Sequence, residues 1–162
     1  MFFGGLLALI IYGALAFPKF NDYTNQHYNY WDLSVKSSSI EDKFIYIDQM
    51  VKSFEGSDLA GTHNAILYKN PSNSFDANFK ALVSLRDRLQ EIKAMDVSSF
   101  EYQTAISQIT AQEQGEASDM LSVLQGCWFK QNHPLYWGWI AGTIITVLII
   151  FVIVGGVKLL DI

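Results

Sequence analysis

The sequence predicts an all-α membrane protein in which two transmembrane helices flank an amphipathic helical hairpin or bundle domain. The first observation is that residues 2–17 and 135–157 contain no charged side chain. The second is that all but two of the charged residues, 11 basic and 16 acidic, lie between these segments. The third is a helical periodicity of apolar residues through that polar middle. Because the middle is too small to wrap two apolar segments, the pattern disfavours a soluble core.

Residues 135–157 form the longer apolar segment. As an α-helix rising about 1.5 Å per residue, the segment spans roughly 34 Å, which covers a hydrocarbon core of about 30 Å. Trp137 and Trp139 lie at its start, where amphipathic rings prefer the lipid headgroup layer. Lys158 follows it and can extend its charge to the opposite interface. The pattern predicts transmembrane helix 2 over residues 135–158.

Residues 2–17 form a shorter segment of about 24 Å as a helix. Residues 14–16, Ala-Leu-Ala, resemble a signal-peptidase site, but no Lys or Arg precedes the apolar run as it does in a signal peptide. We interpret the segment as a retained anchor, transmembrane helix 1 over residues 1–17. Its helix is expected to continue past Pro18, which would kink it or start a new first turn.

The polar middle, residues 18–134, is predicted to be one extramembrane helical domain. It holds all but one of the basic and all but one of the acidic residues, and so it carries the whole net charge of −5. Two spans put both termini on one side of the membrane. An N-terminal anchor followed by a long acidic domain favours a periplasmic domain with cytoplasmic termini. Loops of this length also cross membranes with little regard to charge, which leaves the opposite orientation open.

The first helix is predicted to continue into this domain as an aromatic stripe. Phe20, Tyr23, His27, Trp31 and Val35 recur at steps of three and four residues, which places them on one helical face. A helix with such a face packs it against another helix or against a partner.

Two further helices are predicted from their caps. Ser39 is the expected N-cap of a helix that stops at Gly56, and Ser74 is the expected N-cap of a longer helix after Pro71. Between them a shorter helical piece is predicted over residues 58–68. The apolar stripes comprise Phe44, Ile47, Val51 and Phe54 in the first helix and Phe75, Phe79, Leu82, Leu85, Leu89 and Ile92 in the longer one.

The last helix of the domain is predicted to begin with a capping box of Ser98 and Glu101. It must return toward the bilayer, because only residues 126–133 separate it from the second apolar segment. Residues 110–119 are polar and contain Gly115, so weak packing or a bend is expected there. Short connections make neighbouring helices antiparallel, which predicts an upright bundle standing on the membrane.

The sequence contains no pattern that indicates catalysis, a metal site or a cofactor. His27, His63 and His133 are far apart, and none has a second His or a Cys at ligand spacing. Because His27 lies on the aromatic stripe, we interpret it as a packed side chain. Cys127 is the only cysteine, which excludes an internal disulfide. We therefore predict a non-enzymatic protein with no cofactor.

Residues near the two membrane exits are the candidate contacts for lipid or for a partner protein: Phe20, Tyr23, His27, Trp31, Trp137 and Trp139. Tyr23 and Trp31, together with Tyr28 and Tyr30, are suited to enclose a lipid tail, a quinone or a partner helix. Interfacial anchoring and core packing is the simpler interpretation. Gly138 and Gly142 form a Gly-x-x-x-Gly pattern, which predicts close packing of the second span on the first span or on another subunit.

Two short stretches resemble a family of small two-span bacterial membrane proteins, the domain of unknown function 2937. One is Phe-Pro-Lys-Phe-Asn-Asp-Tyr at residues 17–23, a proline-aromatic exit from the first span that leads into a Tyr-rich helix. The other is Phe129 followed by the proline-led start of the second span at residues 134–138. The resemblance implies a location in the bacterial inner membrane and no known activity.

These observations favour a non-enzymatic accessory or scaffold subunit of a larger membrane protein assembly. The expected partners are other membrane protein subunits, in a hetero- or homo-oligomer, and lipids. The acidic balance of the domain argues against nucleic acid as a partner. The alternative is a membrane-anchored protein that binds a lipid or another hydrophobic ligand on its aromatic stripe.

Overall fold

The computed structural model describes residues 2–65, 67–114 and 117–160, and it confirms an all-helical fold for this part of the chain. The α-helices are α1 (Phe2–Tyr23), α2 (Asn29–Lys36), α3 (Ile40–Phe54), α4 (Phe75–Lys93), α5 (Phe100–Gln114), α6 (Ala117–Asn132) and α7 (Gly138–Leu160). A π-helical turn, Thr24–Tyr28, joins α1 to α2, and short 3₁₀ turns precede α4 and α7. Within these residues, extended pairing is limited to an isolated β-bridge between His63 and Ser74.

The chain divides into two compact units. The two-helix unit comprises Met1–Asp22 and Phe129–Ile162, and the helical domain comprises Tyr23–Trp128. The helical domain thus covers most of the segment that the sequence predicts to lie outside the membrane.

Two helices are long and apolar enough to cross a membrane. The apolar window of the continuous helix Phe2–Lys36 has a mean hydropathy of 1.7, and that of Gly138–Lys158 has 2.8. Only 6% and 11% of these windows are buried inside the protein, whereas the core helix of a soluble protein is mostly buried. Lys19 and Asp22 interrupt the apolar character of the first helix. The part of this helix that is apolar enough to cross a membrane is therefore residues 2–17, and the continuation into the helical domain is polar.

The second apolar helix begins later than the sequence predicts. Pro134–Tyr136 forms a 3₁₀ turn, and α7 begins at Gly138, whose φ of +64° lies in the left-handed region that favours glycine. The Tyr12 hydroxyl donates a hydrogen bond of 2.7 Å to the carbonyl of Leu135, and the rings of Tyr12 and Tyr136 are 5.3 Å apart. These contacts hold the turn against α1. With 23 residues, α7 is still long enough to span a bilayer.

The first helix passes through Pro18 without a break, which confirms the predicted continuation. The wider π-helical turn then rotates the following residues about the helix axis. Val35, which the sequence places on the aromatic stripe, is 48% exposed, while Ser34 is fully buried. The buried face of this helix in the domain comprises Tyr23, His27, Trp31 and Ser34.

The predicted caps of α3 and α4 are confirmed. The Ser39 hydroxyl accepts a hydrogen bond of 3.0 Å from the backbone N–H of Asp42, and the Ser74 hydroxyl accepts one of 3.3 Å from Ala77. Gly56 follows α3 with a φ of +78°. These caps satisfy backbone N–H groups that a helix start leaves without a partner.

Two local predictions in the connections are wrong. The described part of residues 58–68 is not helical: Gly61 has a φ of +73°, and the backbone N–H of Asn64 donates to the carbonyl of Asn73 at 2.9 Å. The cap of α5 is Ser99, whose hydroxyl accepts from the backbone N–H of Tyr102 at 3.1 Å. Ser98, the predicted cap, instead bonds to Asp96, so its hydroxyl is engaged in the preceding turn. The predicted bend at Gly115 lies outside the described residues.

The helical domain has a proximal end, which we define as the end where the chain enters it at Tyr23 and leaves it at Trp128. The centroids of these two rings are 5.4 Å apart. Phe54, the last residue of α3, stacks on His27 one turn after Tyr23, with the ring centroids 4.2 Å apart. Phe75, the first residue of α4, lies 5.9 Å from Phe54. The end of α3 and the start of α4 therefore meet at the proximal end.

The opposite, distal end holds the turn from α2 to α3 and the connection from α4 to α5. Lys93, the last residue of α4, places its Nζ atom 2.6 Å from Oε1 of Glu41 in the first turn of α3. The same ammonium group lies 5.6 Å from the ring centroid of Phe44. Helices α3 and α4 are therefore antiparallel.

Candidate functional site

The predicted contact residues Tyr23, His27 and Trp31 lie in the core of the helical domain. Their exposed fractions are 1%, 4% and 6%. The His27 ring stacks on Phe54 with an interplanar angle of 8° and meets the Trp128 ring edge-on at 5.8 Å. These residues form an aromatic cluster that joins the first helix to α3 and α6.

His27 is a packed, neutral histidine, as the sequence predicts. The hydroxyl of Ser53 donates its proton to the carbonyl of Met50 at 2.7 Å, so it accepts from Nδ1–H of His27, also at 2.7 Å. The Nε2 atom then carries a lone pair and has no hydrogen-bond partner among the described residues. Burial lowers the pKa of His27 to about 4, because the charged imidazolium would lose its hydration. At neutral pH this ring serves packing.

Phe20 and Trp137 belong to a second aromatic cluster, within the two-helix unit. The Phe20 ring lies 4.6 Å from Phe129, which stacks on Trp137 with centroids 5.0 Å apart and an interplanar angle of 13°. Trp139, in α7, is 62% exposed. Five of the six predicted contact residues thus divide between two clusters, and the contact of all six with lipid or with a partner stays a prediction.

In the described part of the chain, the two glycines predicted to mediate helix packing do not lie against another helix. A Cβ atom built at Gly138 or Gly142 would meet nothing within 4 Å in the described residues. Close packing in the two-helix unit occurs at Gly5 instead, where a Cβ would lie 3.0 Å from Cγ2 of Val152. Sequence reasoning missed Gly5. The signal that could have found it is a glycine within the first apolar segment, because small residues let two helices approach closely. Contact of Gly142 with another subunit stays a prediction.

A cavity of about 510 Å³ lies between the first helix and α6 within the helical domain. The wall formed by the first helix is mostly aromatic, and the wall formed by α6 combines hydroxyl, amide and aliphatic side chains. The first wall comprises Tyr23, Thr24, Tyr28 and Trp31, and the second comprises Ala117, Ser118, Leu121, Ser122 and Gln125. None of these residues is charged at neutral pH, which suits an uncharged molecule with both apolar and hydrogen-bonding surface.

The distal end exposes large apolar side chains. Phe100 is 81% exposed, Val97 is 65% exposed and Met95 is 37% exposed. They follow one another through the connection from α4 to α5, and Asp96 and Glu101 stand beside them in the chain. The Asp96 carboxylate accepts hydrogen bonds from the backbone N–H and the hydroxyl of Ser98, which lower its pKa. We call Met95, Val97 and Phe100 the distal apolar surface.

Metal ligation has no support in the described residues, which contain no group of three His, Cys, Asp or Glu side chains that could hold an ion. No protein family model matches the chain, and no curated protein and no solved structure is significantly similar to it. The resemblance to the domain of unknown function 2937 stays a prediction.

Proposed function

We propose that this chain is a non-enzymatic accessory subunit of a membrane assembly. In this proposal residues 2–17 and α7 anchor it, and the distal end of its helical domain recruits another protein. The observation that carries the proposal is the distal apolar surface, on which Phe100 is 81% exposed. Exposed aromatic side chains grouped at one place are typical of protein interfaces.

The charges beside this surface define the chemistry of the expected partner. Asp96 and Glu101 flank Val97 and Phe100, and hydrogen bonds from Ser98 lower the pKa of the Asp96 carboxyl group. An apolar groove rimmed by Lys or Arg would therefore complement the surface. The proposed location is the bacterial inner membrane, with a periplasmic domain and cytoplasmic termini.

The test is affinity purification of the full chain from its native membranes in mild detergent. The double variant Val97→Ser, Phe100→Ser is compared with the matched control Leu67→Ser, Tyr68→Ser, which removes apolar side chains that are at least as exposed at another place. A stoichiometric partner should accompany the wild type and the control and be lost from the distal variant. A stable monomer without a partner would contradict the proposal.

A second candidate function is supported by the cavity between the first helix and α6. Its volume of about 510 Å³ falls within the range of roughly 300–1,000 Å³ that is typical of small-molecule sites. We propose that it holds a lipid or another hydrophobic ligand, which would agree with the aromatic wall formed by Tyr23 and Trp31.

Native mass spectrometry and lipid analysis of the purified protein test this second candidate. Ser122→Trp would fill the cavity without removing a core side chain, because Ser122 is exposed. Ser84→Trp, on an exposed position of α4, is the matched control. Loss of a bound molecule in Ser122→Trp alone is the expected result. The absence of any enriched molecule from the wild type would exclude the cavity as a ligand site.

A further inference from the structure

The described part of the connection between α3 and α4, residues 55–65 and 67–74, presents exposed apolar residues. We define its tip as Leu67, Tyr68 and Lys69. Leu67 and Tyr68 are each 84% exposed, which exceeds the exposure of any other large apolar side chain described. Neither the aromatic clusters nor the distal apolar surface includes them.

Hydrogen bonds hold the base of this loop against the start of α4. The backbone N–H of Phe75 donates to the carbonyl of Thr62 at 2.9 Å, next to the bridge between His63 and Ser74. The backbone N–H of Gly61 donates to the carboxylate of Asp76 at 3.0 Å. The base of the loop is therefore hydrogen-bonded to the helical domain.

Asn73 extends this order to the tip. Its amide nitrogen donates to the carbonyl of Tyr68 at 2.7 Å. Its amide oxygen accepts from Nδ1–H of His63 at 3.0 Å and from the backbone N–H of Asn70 at 3.1 Å. Ordering a backbone residue costs about 1–2 kcal/mol of conformational entropy. These hydrogen bonds offset that cost while leaving the two apolar side chains in solvent, which is unfavourable unless another surface covers them.

The loop belongs to the proximal end of the domain. The side chain of Asn64 contacts the backbone of Gly126 so closely that a Cβ atom there would overlap it. Gly126 precedes Trp128, where the chain leaves the domain, by two residues. Phe75 closes the loop and lies 5.9 Å from Phe54, which stacks on His27. The base of the loop therefore lies at the end where the chain enters and leaves the helical domain.

The connection from the first apolar segment is short. Tyr23 follows residue 17 by six residues of continuous helix, a rise of about 9 Å. The headgroup region adds only about 5–8 Å to each side of the hydrocarbon core. If residues 2–17 cross a membrane, the chain therefore enters the helical domain at Tyr23, close to the lipid headgroups.

We propose that the loop tip is a membrane-docking element whose occupant is the lipid surface itself. Leu67 enters the outer part of the acyl layer, Tyr68 lies among the headgroups, and the Lys69 ammonium binds lipid phosphates. Apolar side chains favour the acyl layer, aromatic rings favour the headgroup layer, and basic side chains bind lipid phosphates, so the order Leu-Tyr-Lys fits the membrane–water interface. Flanking charge distinguishes the tip from the distal apolar surface, because Asp96 and Glu101 would be repelled by anionic lipids. The inference rests on membrane anchoring and does not depend on partner recruitment.

The experiment measures the depth of a label in bilayers that contain the full chain. The protein is reconstituted into vesicles of phosphatidylcholine with or without phosphatidylglycerol, and a fluorophore is attached at Tyr68→Cys. Phe100→Cys is the matched control at the distal end, and Ile149→Cys in α7 reports anchoring. Cys127 is fully buried, so the labelling reagent reacts with the introduced thiols and not with Cys127. The readout is quenching by spin-labelled lipids and by aqueous iodide.

Lipid quenching at position 68 is expected to exceed that at position 100 severalfold. In the vesicles that contain phosphatidylglycerol, Lys69→Glu should reduce it. Equal quenching at positions 68 and 100 would overturn the inference. Protection of position 68 from iodide without lipid quenching would also overturn it, because a protein contact would then cover the tip. If position 149 is not quenched, anchoring fails and the inference fails with it, whereas quenching at 149 but not at 68 rejects the docking element alone.

Discussion

The proximal end of the helical domain encloses a cluster of aromatic side chains, whereas the distal end exposes Phe100. At the proximal end, His27 lies between Phe54 and Trp128, and all three side chains are at least 93% buried. At the distal end, Phe100 is 81% exposed. The difference lies in the side chains that the helix ends bring together. At the proximal end, rings of the first helix, α3, α4 and α6 pack on one another, whereas at the distal end Val97 and Phe100 are exposed where α4 connects to α5.

The same contrast applies to charge. At the proximal end the exposed apolar residues Leu67 and Tyr68 precede a lysine, and at the distal end Val97 and Phe100 stand beside Asp96 and Glu101. An anionic lipid surface would attract the first group and repel the second. The two proposals therefore differ in the surface that each end would bind, lipid for the proximal loop tip and a basic protein for the distal apolar surface.

The largest effect on stability is expected from the aromatic cluster at the proximal end. Phe54→Ala should lower the free energy of unfolding by about 3–5 kcal/mol, because it leaves a cavity beside His27. Phe44→Ala at the distal end should cost less, since Phe44 is only partly buried and its ring contact with Lys93 contributes about 0.5–1 kcal/mol. Chemical unfolding in mild detergent, followed by circular dichroism, measures both. Equal losses would contradict the contrast between the two ends.

Acidification should also act through the proximal end. The pKa of His27 is about 4 in the folded protein, against about 6.5 in the unfolded chain. Below pH 6.5 the unfolded chain takes up a proton that the folded ring does not. Stability should therefore fall between about pH 6.5 and 4, by about 3 kcal/mol in total, and it should be independent of this group above that window.

The variant His27→Gln isolates this effect from the other titrating groups. Glutamine can keep a hydrogen bond to Ser53 but does not titrate. The difference in unfolding free energy between the wild type and His27→Gln should change with pH only in the window between the two pKa values. A difference that stays constant over this window would show that His27 titrates normally.

A smaller loss is expected where α6 contacts the loop base. Gly126→Ala should destabilise the domain by about 1–3 kcal/mol, because the added methyl group overlaps the side chain of Asn64. Gly142→Ala is the control, since no atom lies within 4 Å of its Cβ position in the described chain, and it should have little effect. The double variant Gly126→Ala, Asn64→Ala should regain part of the loss. Without such recovery, the overlap with Asn64 is not the cause.

The smallest effect is expected at the distal ion pair. Glu41 and Lys93 are 62% and 42% exposed, so solvent screens their attraction. A double-mutant cycle with Glu41→Gln and Lys93→Met should give a coupling free energy below about 1 kcal/mol. The coupling free energy of Lys36 and Asp32, a solvent-exposed ion pair within α2, is measured for comparison. A coupling of several kcal/mol would mean that the distal end is held as firmly as the proximal end.

Several features followed from the sequence because they depend on neighbours along the chain. Charge exclusion and length identified two helices that are apolar enough to cross a membrane. Three- and four-residue periodicity identified the buried faces of α3 and α4, and the serines at 39 and 74 located their starts. Each of these signals operates within one helix or one turn, where local hydrogen bonding and burial dominate.

The tertiary structure decided what depends on contacts between distant residues. Only the packing of the first helix against α3 and α6 showed that Tyr23, His27 and Trp31 form core rather than surface. The close approach at Gly5, instead of Gly138 and Gly142, depends on how α1 and α7 pack. Residues 58–68 have a helical spacing of apolar residues in the sequence. In the structure, the backbone N–H of Asn64 pairs with the carbonyl of Asn73 before α4 instead. This pairing satisfies backbone hydrogen bonds, while Gly61, with its positive φ, disfavours a helix at this place. Local pattern thus determined the helices, and long-range packing determined which of their faces remain available for function.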